Sequence, residues 1–271
     1  MSLRVREFED PAAAYEQAHE FLVANATQHN VLLTVLDQGR ERRLGGRFWT
    51  VTDCEQVVGF ASQSPPGMRV GLSRMRDDTI RVLAEAIAPP IPGVVGDAAA
   101  AATFAGHFAE RHGVPVEPVE AQRLYELCRL EATATSSGAL RPAVVGDGPV
   151  LVEWTRQFAT ETETPAGDAH DFVDVGLAAE RLWVWDDNGP VSMAGASKPA
   201  AGVCRVQRVY TPPTRRGSGY ATACVEHLSR ALTGRGLRCV LYTQMRNPTS
   251  NAIYRRIGYR PVSEVLSYDF G

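Results

Sequence analysis

The chain has 271 residues, 44% of them hydrophobic and 22% charged, with a formal net charge of −3 at pH 7. These are the proportions of a soluble globular protein, and the length allows one large core or two domains of ordinary size. A pI near 6.1 without aromatic–basic interleaving argues against a nucleic-acid partner.

No segment approaches about 18 uninterrupted apolar residues, and the N-terminal Met-Ser-Leu-Arg-Val-Arg-Glu lacks an apolar h-region. Neither membrane association nor secretion is expected, and the expected location is cytoplasmic. The five cysteines (Cys54, Cys128, Cys204, Cys224, Cys239) are dispersed, odd in number and without a C-x-x-C pair. They read as small buried hydrophobes in a reducing compartment. The six histidines show no metal-ligand spacing, so no metal site is expected.

Taken in order, Leu3 to Phe8 alternates as a short strand. Asp10 and Pro11 open a helix to Asn25, with Tyr15, Ala18, Phe21 and Leu22 on one face. Strands are predicted at Phe48–Cys54, Val57–Ser62 and Met68–Met75, a helix at Asp77–Ile87, and a short strand at Ile91–Val95. An alanine-rich helix runs from Asp97 to Gly113, and Val119–Leu130 is a strand. Thr133–Gly148 is rich in Ser, Thr, Ala and Gly and reads as a linker.

The second half repeats the order. It gives a helix at Val150–Thr160, a polar loop or irregular helical stretch at Glu161–Asp171, and a hairpin of Leu182–Trp185 with Val191–Ser197 across Asp186-Asp187-Asn188-Gly189. A strand at Val203–Tyr210, a helix at Tyr220–Thr233, a strand at Leu237–Thr243, a helix at Pro248–Ile257 and a strand at Pro261–Phe270 follow. The expected fold is therefore α/β: two tandem units, 1–140 and 141–271, each a mixed, mostly antiparallel sheet with helices on both faces.

Cys204–Thr222 is the stretch around which chemistry would be organised. A strand stops at Pro212 and Pro213, which cannot donate to a ladder. Gly217 and Gly219 allow close backbone approach, and the helix from Tyr220 aims unsatisfied N–H groups and a positive dipole end at the turn. Arg215 and Arg216 flank it. Such an arrangement can hold a pyrophosphate. Residues 205–260 carry eleven arginines and one acid, Glu226, a local charge of +10 that leaves −13 for the rest of the chain. A small polyanion suits that excess.

Arg216-Gly217-Ser218-Gly219-Tyr220-Ala221 resembles the acyl-CoA loop of the GNAT superfamily of N-acetyltransferases, Arg216, Gly219 and Ala221 filling its marked positions. Asn247 and Tyr254 follow in the family's order after a strand. The resemblance covers residues 145–271, and it implies an enzyme that uses acetyl-CoA as acyl donor for a primary amine of a small molecule or peptide. It implies that a backbone N–H near Val209, Tyr210 and Thr211 meets the thioester carbonyl, and that N–H groups of Arg216 to Ala221, Ser218 and Tyr220 included, hold the pyrophosphate. Arg215 adds charge there. It also makes Tyr254 the general acid that protonates the leaving thiolate, a task suited to a phenol; the residue could equally be a packed core tyrosine. Asn247 either contacts the pantetheine arm or caps the helix before Pro248. The positions where the family often has a glutamate base hold Gln207, Arg208 and Val209; Glu153, His170, Asp171 and Asp174 stand as candidates instead.

The first-half counterpart of the loop, Ser73-Arg74-Met75-Arg76-Asp77-Asp78, has no glycine and two acids at the helix start, so that half is expected to bind no acyl-CoA. Gly217-Ser218-Gly219 does not extend to a dinucleotide fingerprint, because Thr222 holds the third glycine position. The sole lysine, Lys198, excludes a Walker A loop. Two alternatives stay open: a non-catalytic acyl-CoA sensor, and acetylation of a cysteinyl sugar conjugate in the manner of mycothiol synthase, to which the tandem arrangement is similar. A monomer or homodimer is expected.

Overall fold

In the computed structural model, residues 2–42, 45–132, 136–164 and 167–271 are described. The strands are β1 (Leu3–Phe8), β2 (Arg47–Asp53), β3 (Gln56–Gln63), β4 (Val70–Leu72), β5 (Gly93–Asp97), β6 (Val116–Leu127), β7 (Ala139–Pro142), β8 (Leu182–Asp186), β9 (Pro190–Ala196), β10 (Val203–Tyr210), β11 (Arg238–Gln244) and β12 (Tyr259–Phe270). The helices are α1 (Pro11–Ala24), α2 (Asn30–Arg42), α3 (Asp77–Ala86), α4 (Ala98–His112), α5 (Gly148–Thr162), α6 (Ala169–Ala178), α7 (Tyr220–Thr233) and α8 (Pro248–Ile257).

The chain forms two compact units. Unit 1 comprises Met1–Tyr125, Tyr242–Asn247 and Pro261–Gly271; unit 2 comprises Glu126–Leu241 and Pro248–Arg260. These are not contiguous halves meeting at residue 140, because the last strand of the chain is built into the first unit. The predicted linker, 133–148, falls partly on 133–135, outside the described residues; its remainder holds β7 and a single 3-10 turn, Val145–Asp147.

In unit 1 the strand order is β1-β2-β3-β4-β5-β12-β6. The pairs β1–β2, β2–β3, β3–β4 and β5–β12 are antiparallel, and β4–β5 is parallel. Period-two alternation assigns the faces of β2: Trp49 and Val51 join Ile80 and Leu83 of α3 and Phe104 and Phe108 of α4 in one core, while α1 packs against β2 and β3. Asp10 caps α1, accepting from Ala12 N at 3.0 Å. Met68–Met75 was expected as one strand, but only Val70–Leu72 pairs. Between α1 and β2 stands a helix that periodicity did not predict, α2. Its Leu32, Leu33 and Leu36 are buried, and Asn30 Nδ2 donates to Thr27 O (2.6 Å) and the Tyr242 hydroxyl (2.9 Å).

Unit 2 has the order β11-β10-β9-β8-β7, with β10–β11 parallel and the other pairs antiparallel. Its sheet is covered on both faces. Leu182, Val184, Met193 and Tyr210 pack with Leu151, Val152 and Trp154 of α5 and Val173 of α6. Their sequence neighbours Trp185 and Ser192 lie on the opposite face, Trp185 edge-on to His227 of α7 with centroids 5.1 Å apart. The hairpin turn has Asn188 and Gly189 at φ +57° and +120°, conformations that these residues tolerate.

All five cysteines are free thiols. Cys204, Cys224 and Cys239 are buried as expected, whereas Cys54 and Cys128 are exposed. Burial pushes the Cys224 and Cys239 thiols up to about 12. Their folded pKa values exceed the unfolded ones, so this contribution to stability is intact below about pH 8.5 and is lost as pH rises toward 12. Denaturant melts at pH 8 and pH 10.5 should therefore differ, by roughly 2 kcal/mol for each thiol, and Cys224→Ala should remove its share. A midpoint independent of pH across that range would contradict the assignment.

Candidate active site

The site is built where β10 leaves β9. Val206 and Gln207 pair with Ala196 and Gly195, the register then slips, and Tyr210 pairs with Met193. At the slip Arg208 takes a left-handed backbone, φ +49°. The bulge interrupts the ladder beside Val209, Tyr210 and Thr211, the residues expected to offer an N–H to a thioester carbonyl. Ser192 Oγ fixes the departing strand: it donates to Tyr210 O at 3.0 Å and lies 2.9 Å from Thr211 Oγ1, all in the buried interior.

Beyond Pro212 a short 3-10 turn, Pro213–Arg215, leads into the glycine turn. Gly217 and Gly219 have φ of +84° and +79°, conformations that a side chain would strain. Gly219 is the N-cap of α7 and no side chain caps that helix, so the first-turn N–H groups at Tyr220 and Ala221 have no intrahelical acceptor. The predicted span of this helix, Tyr220–Thr233, is the observed one.

Side chains around the turn are heavily engaged. Arg216 Nε donates to Thr211 O (2.9 Å), and its Nη2 donates to both carboxylate oxygens of Glu161 on α5 (2.8 and 2.7 Å). The Tyr210 hydroxyl lies 2.9 Å from Gln157 Oε1 and 3.1 Å from Glu161 Oε1, and donates between them. Burial, then the adjacent Glu161 charge, raises the Tyr210 pKa. Arg216 thus ties the glycine turn to the last turn of α5. Its expected service to a pyrophosphate falls to its N–H, or to a guanidinium shared with Glu161.

On the other side, Ser136 Oγ donates to Ser218 O at 2.8 Å. It also stands 2.7 Å from where a Cβ on Gly219 would lie. The Tyr220 hydroxyl donates to Asp187 Oδ2 (2.6 Å), which also accepts from Ser137 Oγ (2.7 Å), and Trp185 Nε1 donates to Ser137 O (2.7 Å). Hydrogen bonding from Tyr220 and then Ser137 lowers the Asp187 pKa. Tyr220 can therefore serve a ligand through its N–H while its phenol anchors the helix to the β8–β9 turn. Arg215 is exposed, next to this network.

Tyr254 lies on α8, which packs against α7. It is 8% exposed, edge-on to Tyr259 with centroids 6.2 Å apart, and its hydroxyl has no hydrogen-bond partner among the described residues. Burial pushes its pKa up to about 12. Asn247 closes the turn after β11, its N–H donating to Gln244 O at 3.1 Å. It belongs to a segment of unit 1.

The four expected base candidates, Glu153, His170, Asp171 and Asp174, are all exposed. Glu153 accepts from Gln157 within α5, and His170 meets Arg156. The carboxylate that reaches β10 is instead Glu161, which the sequence placed in a loop or irregular helical stretch and which lies in the last turn of α5. In unit 1, Arg76 pairs with Asp78 (3.0 Å) at the start of α3, and Asp78 Oδ1 accepts from Thr79 N at 2.7 Å. Among the described residues no group of three or more His, Cys, Asp or Glu could hold a metal ion. No helix among them is long and apolar enough to cross a membrane.

Residues 149–259 match the family described as the Acetyltransferase (GNAT) family. The chain therefore carries a GNAT acetyltransferase domain, and that domain contains the bulged strand, the glycine turn, α7 and Tyr254. Solved structures share the fold over the whole length at low identity. A GNAT-family acetyltransferase from Colwellia psychrerythraea aligns with a TM-score of 0.65 at 10% identity, covering 99% of this chain and 100% of that one. A GCN5-related N-acetyltransferase from Sphaerobacter thermophilus gives 0.63 at 16%, covering 98% and 94%. A tandem GNAT protein from the clavulanic acid biosynthesis pathway gives 0.56 at 11%, covering 98% of each chain. No curated protein sequence matches the chain at a significant level.

Proposed function

We propose that the protein is an acetyl-CoA-dependent N-acetyltransferase that moves the acetyl group directly to a primary amine of a small molecule or peptide. The observation that carries this reading is the bulge in β10 followed directly by the uncapped N terminus of α7. An interrupted ladder followed by first-turn helix N–H groups without a side-chain cap is the donor pattern that a thioester carbonyl and a pyrophosphate require. The amine nitrogen attacks the thioester carbon, the C–S bond breaks with its electron pair left on sulfur, and the Tyr254 hydroxyl protonates the thiolate. The ammonium proton leaves to a base. Arg215 completes the donor contacts in this reading.

The proposal gives each chain a single acyl-CoA site, because the acids at Asp77 and Asp78 fill the equivalent helix start in unit 1. Titration calorimetry should find one acetyl-CoA per chain, and two would contradict it. Gly219→Glu should weaken binding by about a hundredfold or more, since a carboxylate would stand at the pyrophosphate position. The left-handed backbone and the nearby Ser136 Oγ add strain of about 1–2 kcal/mol, so the fold should survive with a lowered Tm. Unchanged affinity in a folded Gly219→Glu protein would remove the loop assignment.

A screen of acetyl-CoA turnover with thiol detection separates the remaining readings. A sensor would keep its acetyl-CoA when amines are added. A cysteinyl sugar conjugate as the preferred acceptor would favour the reading supported by the two-unit likeness.

A further inference from the structure

Arg208 differs from several other arginines of its unit. Arg141 pairs with Asp147 and Asp186, Arg216 with Glu161, Arg230 with Glu226 and Arg238 with Glu126. The Arg208 guanidinium has no ion pair and no hydrogen bond among the described residues, although it is half-buried. Its one specific contact is the Phe172 ring of α6, with Cζ 4.3 Å from the centroid. Loss of solvent lowers its pKa, with no acid to offset the effect. It also occupies a left-handed backbone, φ +49°, that strains a non-glycine residue. An asparagine or glycine would fit the bulge with less strain, and an aliphatic side chain would cover Phe172 without desolvating a charge.

The location gives this arrangement a use. Arg208 is the residue at the bulge itself, directly before the strand amides to which the thioester is assigned. A bare cation there would repel a simple ammonium acceptor. A carboxylate or phosphate on the acceptor would instead satisfy a planar fork of donors that no protein group occupies. We propose that Arg208 is a specificity-determining residue that receives an anionic group of the acceptor, so that the acceptors are amines bearing a carboxylate or a phosphate monoester. This rests on the acetyl-transfer reading and narrows its substrate class.

The test uses CoA-loaded full-length protein and two matched pairs of probes, β-alanine with propylamine and phosphoethanolamine with ethanolamine. Binding is followed by NMR titration. In at least one pair the amine bearing the anionic group should bind about tenfold or more tightly than its counterpart lacking that group, and the pair showing the larger ratio identifies carboxylate or phosphate as the partner. Arg208→Asn, which tolerates the left-handed backbone, should erase the ratio while CoA affinity stays within about twofold of wild type. Phe172→Leu, which keeps the guanidinium but removes its platform, should reduce the ratio part of the way. Equal binding of probes with and without the anionic group, a ratio that survives Arg208→Asn, or no binding of either amine bearing an anionic group would overturn the proposal. Failure of the wild-type protein to take up CoA at all is a separate result. It would remove the acetyl-transfer reading and this proposal with it.

Discussion

Replacing Tyr254 by phenylalanine is expected to lower kcat by about 10²-fold or more and to leave the KM for acetyl-CoA nearly unchanged, the range for loss of a general acid. The substitution keeps the ring that packs edge-on against Tyr259, so a folded variant isolates the hydroxyl. That hydroxyl is buried and has no partner among the described residues, leaving its proton uncommitted. With a pKa near 12 it stays protonated throughout the neutral range. The same burial that keeps the proton on oxygen opposes a free phenolate, so proton transfer should be concerted with C–S cleavage. An alkaline fall in kcat well below pH 12 would then belong to another group. Steady-state kinetics of the two proteins between pH 7 and pH 10 decide the matter, and full kcat in Tyr254→Phe would move the role elsewhere.

Removing Pro261–Gly271 should unfold unit 1 rather than trim a tail. Val265 to Asp269 pair with Asp97 to Gly93, placing β12 inside the sheet of that unit between β5 and β6. Tyr268 and Phe270 pack on its core, Phe270 4.7 Å from Phe108. Arg69 and Arg123 pair with Asp269 and Glu264. Phe270 N and Gly271 N donate to Pro92 O and Pro115 O. Burial of two aromatic side chains contributes about 2 kcal/mol each, and each ladder hydrogen bond about 1 kcal/mol. Together these approach the whole stability of an ordinary domain, about 5–15 kcal/mol. Loss of the unit 1 transition in calorimetry is the expected result. Retention of a cooperative unit 1 transition would contradict it.

Legibility in the sequence followed the range of the interactions involved. The strand–turn–helix at Cys204–Thr222 was readable because each boundary has a local cause: prolines end β10, glycines make the turn, and apolar residues at helical spacing follow. Two helices were missed for different reasons. In α2 the run Val31-Leu32-Leu33-Thr34-Val35-Leu36 suits a buried strand as well as a helix, and packing decides it. In α6 the cue was present but obscured by polar surroundings: Asp168 is an N-cap, accepting from His170 N and Asp171 N. The family signature indicated the donor side of the candidate site. The ties of Arg216 to Glu161, Ser136 to Ser218 and Tyr220 to Asp187 join residues 33 to 82 positions apart, and no periodicity announces them. Arg208 was visible only as a departure from the family's glutamate. Its isolation from acids required coordinates.

The placement of the last strand also sets an order of events during synthesis. Unit 1 begins to emerge before unit 2, yet its sheet waits for β12, most of which is translated after unit 2. At about 5–20 residues per second, roughly 7–30 s separate the end of β6 from the end of β12. Throughout that interval the β5 edge has open N–H and C=O groups and the core that Phe270 will cover is incomplete. Unit 2, whose own strands are nearly all in hand before then, is the part able to fold ahead. The first-made unit is thus the last to mature, and it has the greater need of a chaperone.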